Sequence, residues 1–287
     1  MYTLSEQTLI ILVMYNCNLE NSDAYKSLIE SNKDKKLHIL IYNNSPEIKI
    51  EQTINTNHQT EIINDNSNAG VSKAYNYGAK RAKEQKLTWI LLVDQDTIFP
   101  KHFFEETKEY ISQFPGEKLF APILNSNNSY LSPCYFKYNR GKISTNVTIG
   151  LNNFNNKSLL NSGLLIDVTT YLEIGGYNEK IKLDFSDFYF IVKFQKTHKY
   201  FVLTSATCEH HLSASETNLE KQLIRFEYYC GGALEYGKSL NQVFQIYLLI
   251  IFRTLLLSLK QQTFRYFIVL KNQIFRKINP YKKNFYE

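Results

Sequence analysis

Three short apolar runs, Leu9–Met14 (LIILVM), Leu37–Tyr42 (LHILIY) and Trp89–Val93 (WILLV), constrain this chain more than any other feature. Each has the length of a strand, and none shows the alternation expected of a strand with one wet face. Continuous apolar strands are covered on both faces, as in a parallel sheet packed between helices. The polar stretches between the runs supply those helices. Residues 20–32 and 71–85 read as helical, the second opening after Asn68-Ala69-Gly70. With a further strand at Glu61–Ile63, the order strand, helix, strand, strand, helix, strand predicts an α/β fold with right-handed crossovers. A content of 44% hydrophobic and 21% charged residues excludes a disordered chain.

The middle, roughly residues 116–160, is rich in Asn, Ser and Tyr and weakly periodic. It reads as short antiparallel strands and loops, a setting suited to an acceptor-binding insertion. Strands at Gly163–Val168 and Tyr200–Thr204 and a helix at Asp187–Lys196 follow. From about Asn218 helix dominates, which divides the chain into residues 1–217 and a helical segment, 218–287. Cys17, Cys134, Cys208 and Cys230 form no C-x-x-C pair, and scattered thiols of this kind suit a cytosolic protein. The first apolar run is too short for the core of a signal peptide, so the cytoplasm is the expected location.

The C-terminal segment leaves two readings open. Val243–Leu259 has 17 residues, about the minimum for a membrane span, with Arg253 in its middle. Phe264–Ile278 sets Phe264, Phe267, Ile268, Phe275 and Ile278 among basic residues. From Lys260 to Lys283 the charges are Lys260, Arg265, Lys271, Arg276, Lys277, Lys282 and Lys283, with no acid. One reading is an amphipathic segment on the inner face of the cytoplasmic membrane. The other is a helix packed on the preceding domain with a solvated basic face. Nucleic-acid binding is not expected, because the basic excess is confined to the tail.

Several segments carry chemistry. In Ile90-Leu91-Leu92-Val93-Asp94-Gln95-Asp96 an apolar strand delivers Asp94 and Asp96 at its C-terminal end, the edge of an α/β sheet where ligands bind. Two carboxylates at i and i+2 of an extended segment face one site and suit Mg²⁺ or Mn²⁺ holding a diphosphate. The alternative is that they cap a helix at Lys101–Phe114. Upstream, Asn68-Ala69-Gly70-Val71-Ser72-Lys73-Ala74-Tyr75-Asn76 places Gly70 before a helix N-terminus able to receive an anion, with Asn68 and Asn76 able to bond a base or ribose. The alternative there is an ordinary loop-to-helix turn. Asp184 and Asp187, at i and i+3 of a helix start, face one pocket and offer a general base, or else charge a helix N-terminus. In Glu209-His210-His211, neighbouring side chains of a strand diverge, so one His at most reaches the site as a metal or phosphate contact.

Taken in order from about Thr8 to Gly237, these segments resemble glycosyltransferase family 2, and most closely its rhamnosyltransferases. Tyr15-Asn16 is similar to the turn after the family's first strand. Asn43, in Ile41-Tyr42-Asn43-Asn44-Ser45, stands at the usual Asp position that touches the base. Asn68 to Gly78, with Lys73 within it, looks like the family's Asn-x-Gly segment. Asp94-Gln95-Asp96 resembles the rhamnosyltransferase form of the acidic motif. Asn161-Ser162-Gly163 and Gly175 to Glu179 are similar to the acceptor side, Asp184-Phe185-Ser186-Asp187 to the family's Asp-x-x-Asp, and His210 with Leu212 and Ser213 to its His segment.

The resemblance implies a GT-A fold (Rossmann-like, a mostly parallel mixed sheet with helices on both faces) plus the helical C-terminal segment. It further implies an inverting, metal-dependent transferase of a hexose, first of all L-rhamnose from dTDP-rhamnose, acting on a lipid-linked glycan in cell-surface polysaccharide synthesis. Asp187 is then the base and Asp184 and Gly163 support the acceptor. Asp96, Asp94 and His210 hold the metal. Tyr15, Asn43, Asn68, Gly70, Lys73, Asn76, Asp94 and Gln95 hold the donor. A UDP-hexose donor, or a non-catalytic sugar-nucleotide or glycan-binding module, are the alternatives. Where the family has a Glu-Trp pair, Arg, and basic residues after a Tyr pair, this chain has Tyr189-Phe190, Lys193 and Tyr228-Tyr229-Cys230-Gly231-Gly232.

Overall fold

The computed structural model describes residues 3–51, 58–211 and 218–278. The chain divides into two compact units, Met1–Glu179 with Asp187–Leu212, and Lys180–Ser186 with Ser213–Glu287.

The first unit opens with β1 (Thr8–Met14), α1 (Asp23–Ser31), β2 (His38–Asn43), β3 (Gln59–Asn64), α2 (Val71–Glu84) and β4 (Trp89–Asp94). These strands lie side by side and all parallel, in the order β4-β1-β2-β3. The burial of β1 shows why its sequence is apolar throughout. Leu9, Ile11 and Val13 join one core with Leu40, Ile90 and Leu92, beneath Tyr75 and Ala79 of α2. Ile10, Leu12 and Met14 join the other, with Ile39, Ile41 and Leu91, beneath Ala24 and Leu28 of α1. Gly78 lets α2 settle onto β1, because a Cβ there would stand 2.4 Å from Ile11 Cδ1.

After β4 come β5 (Thr97–Ile98), α3 (Phe103–Gln113), β6 (Leu119–Ser126), β7 (Ser129–Lys137), β8 (Arg140–Ser144), β9 (Gly150–Asn153) and β10 (Lys157–Ser158). They are followed by β11 (Leu165–Asp167), α4 (Val168–Glu173), α5 (Ser186–Phe194) and β12 (Tyr200–His210). The expected mixed sheet is found: its first half is all parallel, and beyond it β12 runs parallel to β6 among antiparallel neighbours. β11 enters antiparallel between β4 and β6, and β6, β7 and β8 run as a meander. The reason is local: Asn127-Asn128 and Tyr138-Asn139 make two-residue loops with positive φ at both positions, the turn that joins antiparallel neighbours.

Two expectations are corrected. The run read as a strand from Gly163 to Val168 is only three residues of strand, because Gly163 sits in a turn at φ +85°. It then passes straight into α4, whose N-cap Asp167 accepts the N–H of Thr170 at 2.8 Å. β12 runs past Thr204 to His210, with a bulge between Leu203 and Thr207, and so carries His210 to β5. The second unit holds α6 (Leu219–Tyr236), α7 (Leu240–Lys260) and α8 (Arg265–Ile278), which pack on one another.

The close approach of α2 to β1 is testable by a double-mutant cycle. Gly78→Ala is expected to cost about 1–3 kcal/mol through overpacking, although Ala favours helix. Ile11→Ala is expected to cost about 2–5 kcal/mol through its cavity. Together they should cost less than their sum in denaturant unfolding, since the added methyl enters the vacated space. Strict additivity contradicts this packing.

Candidate active site

The acidic pair lies where β4 ends. The strand stops at Asp94, Gln95-Asp96 form a turn, and β5 resumes at Thr97. The N-cap of α3 is His102, so neither carboxylate caps that helix and the capping alternative falls away. The Asp94 N–H donates to Ser162 Oγ at 3.0 Å, and Asp94 Oδ1 accepts from the hydroxyl of Tyr75 at 2.7 Å. Ser162 Oγ is 2.8 Å from Thr97 Oγ1, which is 2.9 Å from His210 Nδ1, which in turn lies 3.4 Å from Asp96 Oδ1. Burial pushes the Asp94 carboxyl up and the charge of Asp96 adds to this, against the Tyr75 hydroxyl and His210. Two carboxylates under mutual repulsion at a sheet edge are a site that a cation relieves.

The donor set suits a hard divalent cation bound by one or two carboxylates and finished by substrate phosphates, rather than an all-protein cage. Among the described residues no three His, Cys, Asp or Glu side chains converge as a ligand set. His210, expected as a third ligand, has Nδ1 2.9 Å from Thr97 Oγ1 and 3.4 Å from Asp96 Oδ1. His211 diverges from it as strand geometry requires, its Nδ1 3.1 Å from Asp23 Oδ2. Leu212 and Ser213, the rest of that segment, lie outside the described residues.

Gln95 and Tyr15 form one unit: Tyr15 N–H donates to Gln95 Oε1 at 2.7 Å, and Gln95 Nε2 donates to Tyr15 O at 3.1 Å. This fixes the Tyr15 backbone beside the acidic turn, with the residue 44% exposed. Gly70 is the N-cap of α2 at φ +94° with no side-chain cap, and Asn68 precedes it at φ +47°. Gly70 thus opens α2 at the C-terminal edge of the sheet, the placement that the anion-site reading expects.

Three residues expected at the donor are engaged with protein groups in this structure. Asn43 is 0% exposed and fully engaged, its Nδ2 donating to Ile48 O and Asn64 Oδ1 and its Oδ1 accepting from Ser45 N–H. Asn76 is likewise spent, pinning Tyr177 through both its backbone groups and accepting from Tyr171. Lys73 Nζ is paired with Asp65 Oδ2 at 3.1 Å. Asp65 escaped the sequence reading, as did its neighbour in space Tyr42, whose hydroxyl donates to Asp65 Oδ2 at 2.6 Å. Burial favours the protonated Asp65 carboxyl, but bonds from Ser67, Tyr42 and Lys73 outweigh it and hold the carboxyl well below the usual range. At the end of β2, Asn44 is buried with no hydrogen-bond partner for Oδ1 among the described residues.

On the other side of β4, Gly163 is needed for shape: a Cβ there would lie 2.4 Å from Pro122 Cγ. Its neighbour Asn161 accepts from the hydroxyl of Tyr177 at 2.6 Å. Tyr177 stacks on Phe190 with centroids 4.4 Å apart, and Lys193 Nζ donates to the carbonyls of Gly175 and Gly176. Asp187 stands in the first turn of α5, its Oδ1 accepting the N–H of Phe188 at 2.8 Å. The Tyr177 phenol is raised by burial, then by Tyr171, Asp187 and Asp94, so it senses both carboxylates. The expected helix face shared by Asp184 and Asp187 does not form, because α5 begins at Ser186 and Phe185 has φ +72°. Asp184 belongs to the second unit. There burial raises its carboxyl, while Arg225 and Arg253 favour the charged form.

Residues 9–129 match the model of the family described as Glycosyl transferase family 2. No curated protein matches this sequence. Among solved structures, the fold is similar to S. aureus TarS, with a TM-score of 0.52 and 15% identity over 85% of this chain and 42% of that one. It is also similar to TarS 1-349, with a TM-score of 0.50 and 14% identity over 97% of this chain and 75% of that one. GalNAc-T7 with UDP, GalNAc and Mn²⁺ has a TM-score of 0.54 and 11% identity over 96% of this chain and 58% of that one. The chain thus spans under half of TarS, and at these identities the likeness establishes the GT-A fold alone.

The Asp65 cluster predicts a pH signature. A carboxyl held below its usual value stabilises the fold above about pH 4 and loses that contribution as pH falls. Asp65→Asn is expected to lower stability by about 1–3 kcal/mol at neutral pH. Unfolding curves at several pH values should show the gap to wild type closing under acid, and a gap that stays constant contradicts the assignment.

Proposed function

We propose that this chain, with its family 2 segment at residues 9–129, is an inverting glycosyltransferase that moves a sugar from a nucleoside diphosphate donor to a glycan hydroxyl. The observation that carries the reading is the junction at the end of β4, where Asp94, held by Tyr75 and Ser162, meets Asp96 across one turn. Tyr15, locked to Gln95, flanks the nucleotide, and the N-terminus of α2 at Gly70, with Asn68, receives its anionic part. A divalent cation, Mg²⁺ or Mn²⁺, on Asp96 and Asp94 would neutralise charge on the leaving diphosphate. GalNAc-T7, which shares the fold, is seen with UDP, GalNAc and Mn²⁺. His210 orients Asp96.

Asp187 accepts the proton of the acceptor hydroxyl as that oxygen attacks the anomeric carbon. The nucleoside diphosphate departs from the opposite face, and the configuration inverts. The acceptor side is supported by a recess lined by Tyr135, Asn146, Asn155, Lys157 and Cys134. Burial, with Asp187 adding, pushes the Cys134 thiol up to about 12. The donor is dTDP-L-rhamnose, on the strength of Asp94-Gln95-Asp96, and the acceptor is a lipid-linked glycan at the cytoplasmic membrane face, destined for surface polysaccharide.

Nucleotide release with dTDP-rhamnose, UDP-glucose and UDP-galactose tests the donor, with the first expected fastest. A UDP-hexose that is turned over faster replaces rhamnose and leaves the class intact. Asp187→Asn is expected to lower kcat by about a hundredfold or more while donor binding persists. Unchanged turnover in that variant removes Asp187 from its role.

A further inference from the structure

α7 is apolar well beyond the face it buries. Ile246, Ile250, Thr254 and Ser258 form its buried side. Leu240, Phe244, Leu248, Ile251, Leu255 and Leu259, at spacings of four, four, three, four and four residues, form a second stripe in solvent, with Leu240 89% and Leu259 78% exposed. α8 continues the pattern, burying Tyr266 and Leu270 while Phe267, Ile268, Phe275 and Ile278 face outward. A helix apolar all round asks for a cover on each side, and here only one side has it.

Charge identifies the second cover. From Leu240 to Ile278 there are six basic residues and no acid. Arg265, Arg276 and Lys277 pair with Glu220, Glu227 and Glu235 of α6, which places them on the packed side. Lys260 and Lys271 make no ion pair with any described residue, and Lys271 stands one turn from both Phe267 and Phe275 on the outward face. Apolar rings and aliphatic side chains interspersed with free ammonium groups match acyl chains below anionic headgroups, with the lysine stems reaching back to the headgroup level.

We infer that α7 and α8 dock flat on an anionic lipid bilayer. With 21 residues α7 is long and apolar enough to cross a bilayer. Crossing would, however, strip the cover from Ile246 and Ile250 and carry Arg253, whose guanidinium lies 4.0 Å from the Tyr229 ring centroid, into hydrocarbon. An interfacial position leaves both in place. The inference does not depend on the glycosyltransferase reading.

Flotation of the full chain with phosphatidylcholine vesicles, with and without about a third phosphatidylglycerol, tests it. The chain is expected to float with the anionic vesicles about tenfold more than with the neutral ones, and to be released by alkaline carbonate. Leu248→Glu with Leu255→Glu should abolish flotation with the circular dichroism spectrum unchanged. Lys260→Gln with Lys271→Gln should remove the preference for anionic lipid. Absence of flotation in wild type overturns the inference, as does a dimer that dissociates in the Glu variant without any vesicle binding. Retention through carbonate would mean a spanning helix and would overturn the flat orientation.

Discussion

Burial of β1 and β4 on both faces is the constraint on which the rest of the first unit depends. Once alternate residues of each strand are committed to separate cores, neither sheet face is left for a ligand. Polar chemistry is then confined to strand ends, and the C-terminal ends of β1, β2, β3 and β4 line up because those strands are parallel and in register. Tyr15, Asn44, Asp65 and Asp94 all follow from that alignment. The antiparallel entry of β11 beside β4 adds a fifth contribution, setting Ser162 against the Asp94 backbone.

The electrostatics of the site follow from the same arrangement. Asp94 is drawn in by Tyr75 and Ser162 while Asp96 is left nearer the solvent beside His210, so the two carboxylates differ in surroundings though only one residue separates them. Neighbouring polar side chains serve shape. Asn76 ties α2 to the 171–179 segment, Gly163 lets the chain pass Pro122, and Lys193 closes the Gly175-Gly176 turn. A long side chain in the Lys193 position does this with a single ammonium donating to two carbonyls, a task that needs no guanidinium fork.

The parallel half of the fold and the acidic turn were legible in the sequence, because apolar runs of strand length and an acidic strand end are local signals. The local partners of Asn43 and Asn76 were not legible: an amide reads the same in sequence whether it meets a ligand or the backbone, and here both bond backbone carbonyls. Asp65 and Tyr75 were missed because their partners lie far along the chain, Tyr42 for the first and Asp94 for the second. The helix-face reading of Asp184 and Asp187 failed at Phe185, whose left-handed backbone carries no mark in residue type. The β12 extension was hidden by Ser205, Thr207 and Glu209, which break its apolar pattern where one face is exposed.

The central claim is that the Asp94–Asp96 turn binds a nucleotide sugar with a divalent cation. Calorimetric titration of dTDP-rhamnose, UDP-glucose and UDP-galactose, each with and without Mn²⁺, on wild type and Asp96→Ala tests it most directly. The account predicts Mn²⁺-dependent binding of at least one donor by wild type, lost in the folded Asp96→Ala protein. Absence of binding by folded wild type for every donor, or binding that neither Mn²⁺ nor Asp96→Ala alters, would contradict it.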